Sequence, residues 1–238
     1  MSGYVAAMKR LGLLGGMSWE SSIEYERTIN QLVRERLGGL ASADLLIRSF
    51  NFADIEALQQ AGRWDDAGQI LARAAANLAD GGADAIVICT NTMHRLADVV
   101  AAAVDIPLIH IADATAAAVK AAGIDVVALL GTRYTMEQDF YVGRLRELHR
   151  LTVLIPDEPD RVVVHDVIYQ ELVRGITSPH SKRRYVDIIK RLLGLGAQGV
   201  IAGCTEIELL IRPEDLPVPL FPTAYLHAVA AVDFALAQ

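Results

Sequence analysis

Short apolar runs alternate with longer amphipathic stretches along the whole chain. The runs Arg10–Leu14, Asp44–Phe50, Ala85–Cys89 and Pro107–Ile111 predict four strands in the first half. Asp125–Leu130, Leu151–Ile155, Gly199–Gly203 and Val218–Phe221 predict four more in the second. Helical spacing of apolar positions fills the intervals, over Glu20–Leu37, Trp64–Asp80, Thr92–Val104, Glu137–His149, Arg161–Arg174, Lys182–Leu193 and Ala224–Leu236. Parallel strands need a long return crossover, and a helix supplies it, so this alternation predicts an α/β fold with helices on both faces of parallel sheets.

The pattern also repeats. Gly82-Ala83-Asp84-Ala85-Ile86-Val87-Ile88-Cys89-Thr90 is echoed by Gly196-Ala197-Gln198-Gly199-Val200-Ile201-Ala202-Gly203-Cys204, an offset of 114 residues from position 90 to position 204. Leu13-Leu14-Gly15 recurs as Leu129-Leu130-Gly131, and Ile106-Pro107-Leu108 as Val218-Pro219-Leu220, at nearly the same offset. A period of that length is too long for a solenoid and fits a duplicated α/β unit. The expected organisation is two pseudo-symmetric parallel-sheet halves, residues 1–112 with 224–238 and residues 113–223, with an active site in the cleft between them. Ligands of open parallel sheets sit beyond the carboxyl ends of the strands. Gly15-Gly16-Met17-Ser18, Thr90-Asn91-Thr92, Gly131-Thr132-Arg133-Tyr134-Thr135 and Cys204-Thr205-Glu206 all follow predicted strands and are expected to line that cleft.

Composition narrows the function classes. The 238 residues are 53% hydrophobic and 21% charged, with a net charge of −7 and no lysine/arginine block, which argues against a nucleic-acid partner. No apolar run is long enough to span a bilayer, and the segment before the first strand is too short for a secretory signal, so a cytoplasmic location is expected. The two cysteines and six histidines show no metal-ligand spacing, and a disulfide is not expected in that compartment. Gly12-Leu13-Leu14-Gly15-Gly16 has neither the dinucleotide nor the phosphate-loop pattern, so no nucleotide cofactor is implied.

Cys204 ends a predicted strand just before a helix-like stretch, where the helix N-terminus would lower a thiol's pKa and make thiolate available. Alone it reads as a small buried hydrophobe; the repeat turns the reading toward a reactive thiol. Cys89 falls on the opposite strand face and reads as core, leaving Thr90 as the equivalent of Cys204. Asn91, Thr92 and Thr205 could hold a carboxylate or simply cap a helix. Arg48 and Arg133 could pair with a second carboxylate or lie solvated at the surface. Glu206 could share a proton with the thiol or stand near a helix start for dipole reasons, Met17 suits core or site wall, and His94 reads as a structural helix residue.

Taken together, Gly15-Gly16-Met17-Ser18-Trp19-Glu20-Ser21, Cys89-Thr90-Asn91-Thr92-Met93-His94, Leu130-Gly131-Thr132-Arg133-Tyr134-Thr135-Met136 and Gly203-Cys204-Thr205-Glu206 strongly resemble the aspartate/glutamate racemase family, from about Lys9 onward. The resemblance implies a cofactor-independent amino-acid racemase, without pyridoxal phosphate, in which two cysteines flank the substrate α-carbon. The second cysteine maps to Cys204 and the first to Thr90, as in a subgroup carrying threonine there. Cys204 would then act on the L-isomer and Thr90, through water, on the other face. Substrate contacts map to Met17, Gln59, Thr90, Asn91 and Thr92, with Ser18, Thr132, Thr205 and Arg48 in the same strand-end segments. Val163 falls where many relatives carry a lysine, so a neutral amino acid competes with aspartate and glutamate as the substrate. A homodimer is also implied. Two alternatives stand beside this reading: a single-cysteine decarboxylase or isomerase of the wider superfamily, and a non-catalytic protein that binds a small carboxylate.

Overall fold

A computed structural model describes residues 8–237. The reading of the first seven residues as too short for a secretory signal lies outside the described residues. The chain divides into two compact units. The first gathers the residues up to Cys89, Leu96–His110 and the segment from His227 on; the second gathers Thr90–Arg95 and Ile111–Leu226.

In the first unit β1 (Leu11–Gly15), β2 (Leu45–Ser49), β3 (Ala85–Ile88) and β4 (Leu108–Ile109) form one parallel sheet in the order β2-β1-β3-β4. The helices α1 (Trp19–Leu37), α2 (Phe52–Gln60), α3 (Trp64–Asp80) and α4 (Ala97–Ala101) connect the strands. Every residue of β1 and β3 is buried, as expected of central parallel strands covered on both faces. Helix α1 presents Tyr25, Ile29, Leu32 and Val33 to the core at helical spacing, and Ser18 caps its start by accepting from the Ser21 N–H. Gly16 (φ +83°) makes the turn into it. A Cβ there would stand 2.3 Å from both the N and the O of Phe50, so only glycine fits.

In the second unit the helix α5 (Ile111–Ala121) leads into β5 (Val126–Gly131), α6 (Arg133–Glu137), α7 (Val142–Glu147) and β6 (Thr152–Leu154). Then follow α8 (Glu158–Gln170), α9 (Pro179–Gly194), β7 (Gly199–Gly203), α10 (Ile207–Leu210), β8 (Leu220–Pro222) and α11 (Thr223–Leu236), whose greater part belongs to the first unit. The second sheet runs β6-β5-β7-β8, the same permutation as the first, all parallel. Asp157 and Ser178, each followed by proline in the first turn, cap α8 and α9. No helix among the described residues is long and apolar enough to cross a membrane.

All eight expected strands are present, shifted by a residue or two at their ends, and β4 shrinks to two residues. The helix expected over Thr92–Val104 opens instead as a 3-10 turn, Thr92–Leu96, in which the His94 N–H bonds to the Asn91 carbonyl. The one expected over Glu137–His149 shortens to α7, Val142–Glu147, because α6 ends at Glu137, Gln138 is extended and the Tyr141 ring is fully buried just after it.

Gly131 and Gly203 are partners across β5 and β7. A Cβ on Gly203 would lie 2.8 Å from Leu129 Cδ1 and 2.9 Å from the Leu130 carbonyl, and one on Gly131 2.8 Å from the Gly203 carbonyl. Overpacking of this kind costs about 1–3 kcal/mol. Gly203→Ala is therefore expected to lower the denaturant midpoint by about 2 kcal/mol of stability, and an unchanged midpoint would show slack at these strand ends.

Candidate active site

The carboxyl ends of β5 and β7 lie side by side, so Thr132 and Cys204, each one residue past the paired glycines, are neighbours. The Cys204 thiol donates to Glu206 Oε2 at 2.9 Å, and the Thr205 hydroxyl donates to the same oxygen at 2.7 Å. Cys204 keeps 8% of its surface, whereas Cys89 keeps 1%. The expected lowering of the Cys204 pKa does not occur. Burial raises it well above the ordinary thiol value, and the negative charges of Glu206 and Glu208 and the hydrogen bond to Glu206 add to the rise. The helix invoked for the opposite effect, α10, has four residues and starts three positions later. Burial also raises the Tyr185 phenol, with the nearby Cys204 and Glu171 adding to it.

A second network holds the segment Thr90–Thr92. Asn91 Nδ2 donates to Thr223 Oγ1 at 3.0 Å, and the Thr223 hydroxyl in turn donates to the carbonyl of Ala202, near the end of β7, at 2.8 Å. Because Thr223 spends its proton on Ala202, it can only accept from Asn91, which fixes the amide orientation. Asn91 Oδ1 is left buried with no hydrogen-bond partner among the described residues, on a residue 3% exposed. A buried acceptor without a donor is costly and calls for a ligand or water to complete it. Thr92 Oγ1 meets Thr132 Oγ1 at 3.0 Å, and Thr132 Oγ1 meets Thr135 Oγ1 at 3.2 Å and accepts from the Thr135 N–H, a line of hydroxyls beside Cys204.

His94 is structural, as the sequence suggests, and its protonation can be assigned. The Ile111 N–H donates to His94 Nε2 at 3.2 Å, so the proton sits on Nδ1, which donates to the Thr90 carbonyl at 2.8 Å. The half-buried Thr90 is thus anchored through its backbone with its hydroxyl left to other work.

The second unit therefore brings Asn91, Thr92, Thr132, Cys204 and Thr205 into bonded networks at the ends of its strands. In the first unit Met17 and Ser18 are buried in the turn between β1 and α1, and Gln59 is buried on α2. Arg48, on exposed β2, donates to the Ser49 carbonyl and lies over the Phe50 ring at 4.7 Å. A part in substrate binding rests on the resemblance for Met17 and Gln59, and on the place at a strand end for Ser18 and Arg48. Thr135 lies in a strand-end segment expected to line the site, whereas Thr223 carries no sequence expectation. The signal for Thr223 is a buried threonine directly after a strand that ends in proline. Among the described residues no group of histidine, cysteine and acidic side chains could hold a metal ion.

Comparison with known proteins places this arrangement. The profile of the Asp/Glu/hydantoin racemase family matches residues 14–231. The structure of a candidate Asp/Glu racemase from Yersinia pestis is 54% identical, with a TM-score of 0.92, over 97% of this chain and 100% of the other. That of an aspartate racemase homologue from Pyrococcus horikoshii is 33% identical, with a TM-score of 0.84 and the same coverage. A Pectobacterium carotovorum protein known as the uncharacterized protein in the pnlA 3′ region is 32% identical over 121 residues, 51% of this chain and 77% of its own length.

Proposed function

The chain belongs to the Asp/Glu/hydantoin racemase family, and on that premise we propose that it is an amino-acid racemase of the aspartate/glutamate type whose base is Cys204. The observation that carries this reading is the short line from the Cys204 thiol to the Glu206 carboxylate at the end of β7. In the free protein the thiol is protonated, because burial and two acidic neighbours disfavour a second negative charge. An amino-acid substrate brings an ammonium group, and Asn91 Oδ1 is the buried acceptor that suits it.

That positive charge offsets Glu206 and Glu208 and lets the thiol proton pass to Glu206. The thiolate then removes the α-proton, and the carbanion takes a proton on its other face from the Thr90 side, through water. Cys204 serves the L-isomer. A threonine hydroxyl is a far weaker base than a thiolate, so turnover from the D side is slow. The hydroxyls of Thr92 and Thr132 suit the α-carboxylate, while Thr205 holds Glu206 in place.

Incubation with L- and D-aspartate, L- and D-glutamate and several neutral amino acids in deuterated buffer tests the proposal. Deuterium is expected at the α-carbon of at least one acidic amino acid, faster from the L-isomer. No exchange with any, from folded protein, sinks it, and carbon dioxide released from a malonate without exchange would transfer the site to decarboxylation.

A further inference from the structure

Just past the carboxyl end of β5 the second unit carries a pair of hydrogen-bond donors that form no ion pair among the described residues. Arg133 lies one residue past Thr132, the neighbour of Cys204 across β5 and β7. Its guanidinium is exposed, packs over the Tyr134 ring at 5.1 Å and donates to the Tyr134 hydroxyl at 3.3 Å, yet forms no ion pair among the described residues. Its backbone N–H donates to His165 Nδ1 at 3.4 Å. That nitrogen is therefore the acceptor and the ring proton sits on Nε2, which has no acceptor among the described residues. Burial and the Arg133 charge both disfavour a second proton, so His165 is a neutral donor. Tyr169 packs on the His165 ring at 4.7 Å, and Tyr134 meets it edge-on at 6.3 Å, which holds both donors in place.

Glu137 is the acid whose charge reaches both groups, but its carboxylate is bonded to Arg161. A guanidinium with a neighbouring N–H, one residue past Thr132 and without an ion pair among the described residues, suits a carboxylate that the protein does not supply. Resting on the racemase reading above, we propose that Arg133 and His165 bind the side-chain carboxylate of the substrate and so select dicarboxylic amino acids over neutral ones. Arg133 carries the charge and His165 the second hydrogen bond, while the tyrosines fix their directions.

Initial rates of α-proton exchange, with succinate binding by calorimetry as an activity-independent readout, separate the possibilities. Charge-assisted hydrogen bonds imply that Arg133→Ala raises KM for L-aspartate about 10- to 100-fold, with kcat falling less, and weakens succinate by a similar factor. KM for neutral amino acids should stay within about twofold, since that contact is absent for them. Arg133→Lys should restore part of the aspartate affinity, and His165→Phe should cost about 2- to 10-fold. Arg184→Ala, on exposed α9, is the control for the loss of one positive charge. Unchanged aspartate KM and succinate affinity in Arg133→Ala overturn the inference, as does wild-type protein that binds no succinate. Arg133-dependent succinate binding without any exchange would keep the carboxylate receptor and remove the racemase.

Discussion

Cys204→Ser is expected to fold normally and to lose α-proton exchange by about 100- to 10,000-fold, the usual contribution of a positioned acid or base. The serine hydroxyl can keep the hydrogen bond to Glu206, and the loss of one sulfur in a site with 8% exposure leaves the packing nearly intact. What it cannot do is ionise. The thiol already stands well above its ordinary value, and an alkoxide is far harder still to form. The matching control is Cys89→Ala. That thiol is sealed beside β3, its own pKa pushed up by burial alone, and its removal should leave exchange rates unchanged at a cost of about 1 kcal/mol in stability. Exchange rates and denaturation midpoints of both variants settle the matter, and a Cys204→Ser enzyme within tenfold of wild type would place the base elsewhere.

Acid should weaken the first unit through His227. This fully buried imidazole donates from Nε2 to the Ile109 carbonyl at 2.7 Å and accepts at Nδ1 from the Tyr25 hydroxyl at 2.8 Å, so it is neutral. Burial lowers its pKa from 6.5 to about 4, with the Ile109 bond opposing the shift. Between those two values the unfolded chain binds a proton that the folded one refuses. Stability from this residue is therefore complete above pH 6.5, declines as pH falls, and levels off below about 4 after a loss of about 3 kcal/mol. Chemical denaturation at a series of pH values should show the decline. In His227→Gln, whose amide can donate to Ile109 and accept from Tyr25 without titrating, stability at pH 7 should be lower and the pH 4–6.5 slope flatter than in wild type. Parallel slopes would assign the acid sensitivity to other groups.

Much of this was legible in the sequence because its signals are local. Eight apolar runs became eight strands, and the echo of Ile88-Cys89-Thr90 in Ala202-Gly203-Cys204 singled out the thiol without coordinates. Helix α2 leaves no periodic signal in the sequence because it buries only Ile55 and Gln59, too few positions to set a period. Helix α5 leaves none because its alanine-rich, small-residue pattern buries residues without a clear polar face. The site was legible in its residue types but not in its energetics. Acidity of Cys204 depends first on burial, which only the tertiary fold supplies, and then on the charges of Glu206 and Glu208. The Asn91–Thr223 bond joins positions 132 residues apart, and the neutral donor at His165 depends on the Arg133 backbone that meets it.

The segment Thr90–Arg95 is encoded by the earlier repeat yet packs as part of the later unit, through Asn91 on Thr223, Thr92 on Thr132 and Arg95 on Gln138. Gene fragments cut at the repeat boundary would thus yield a C-terminal cassette missing six residues of its own body. Any attempt to split, shuffle or circularly permute this polypeptide has to carry that hexapeptide along with the later half.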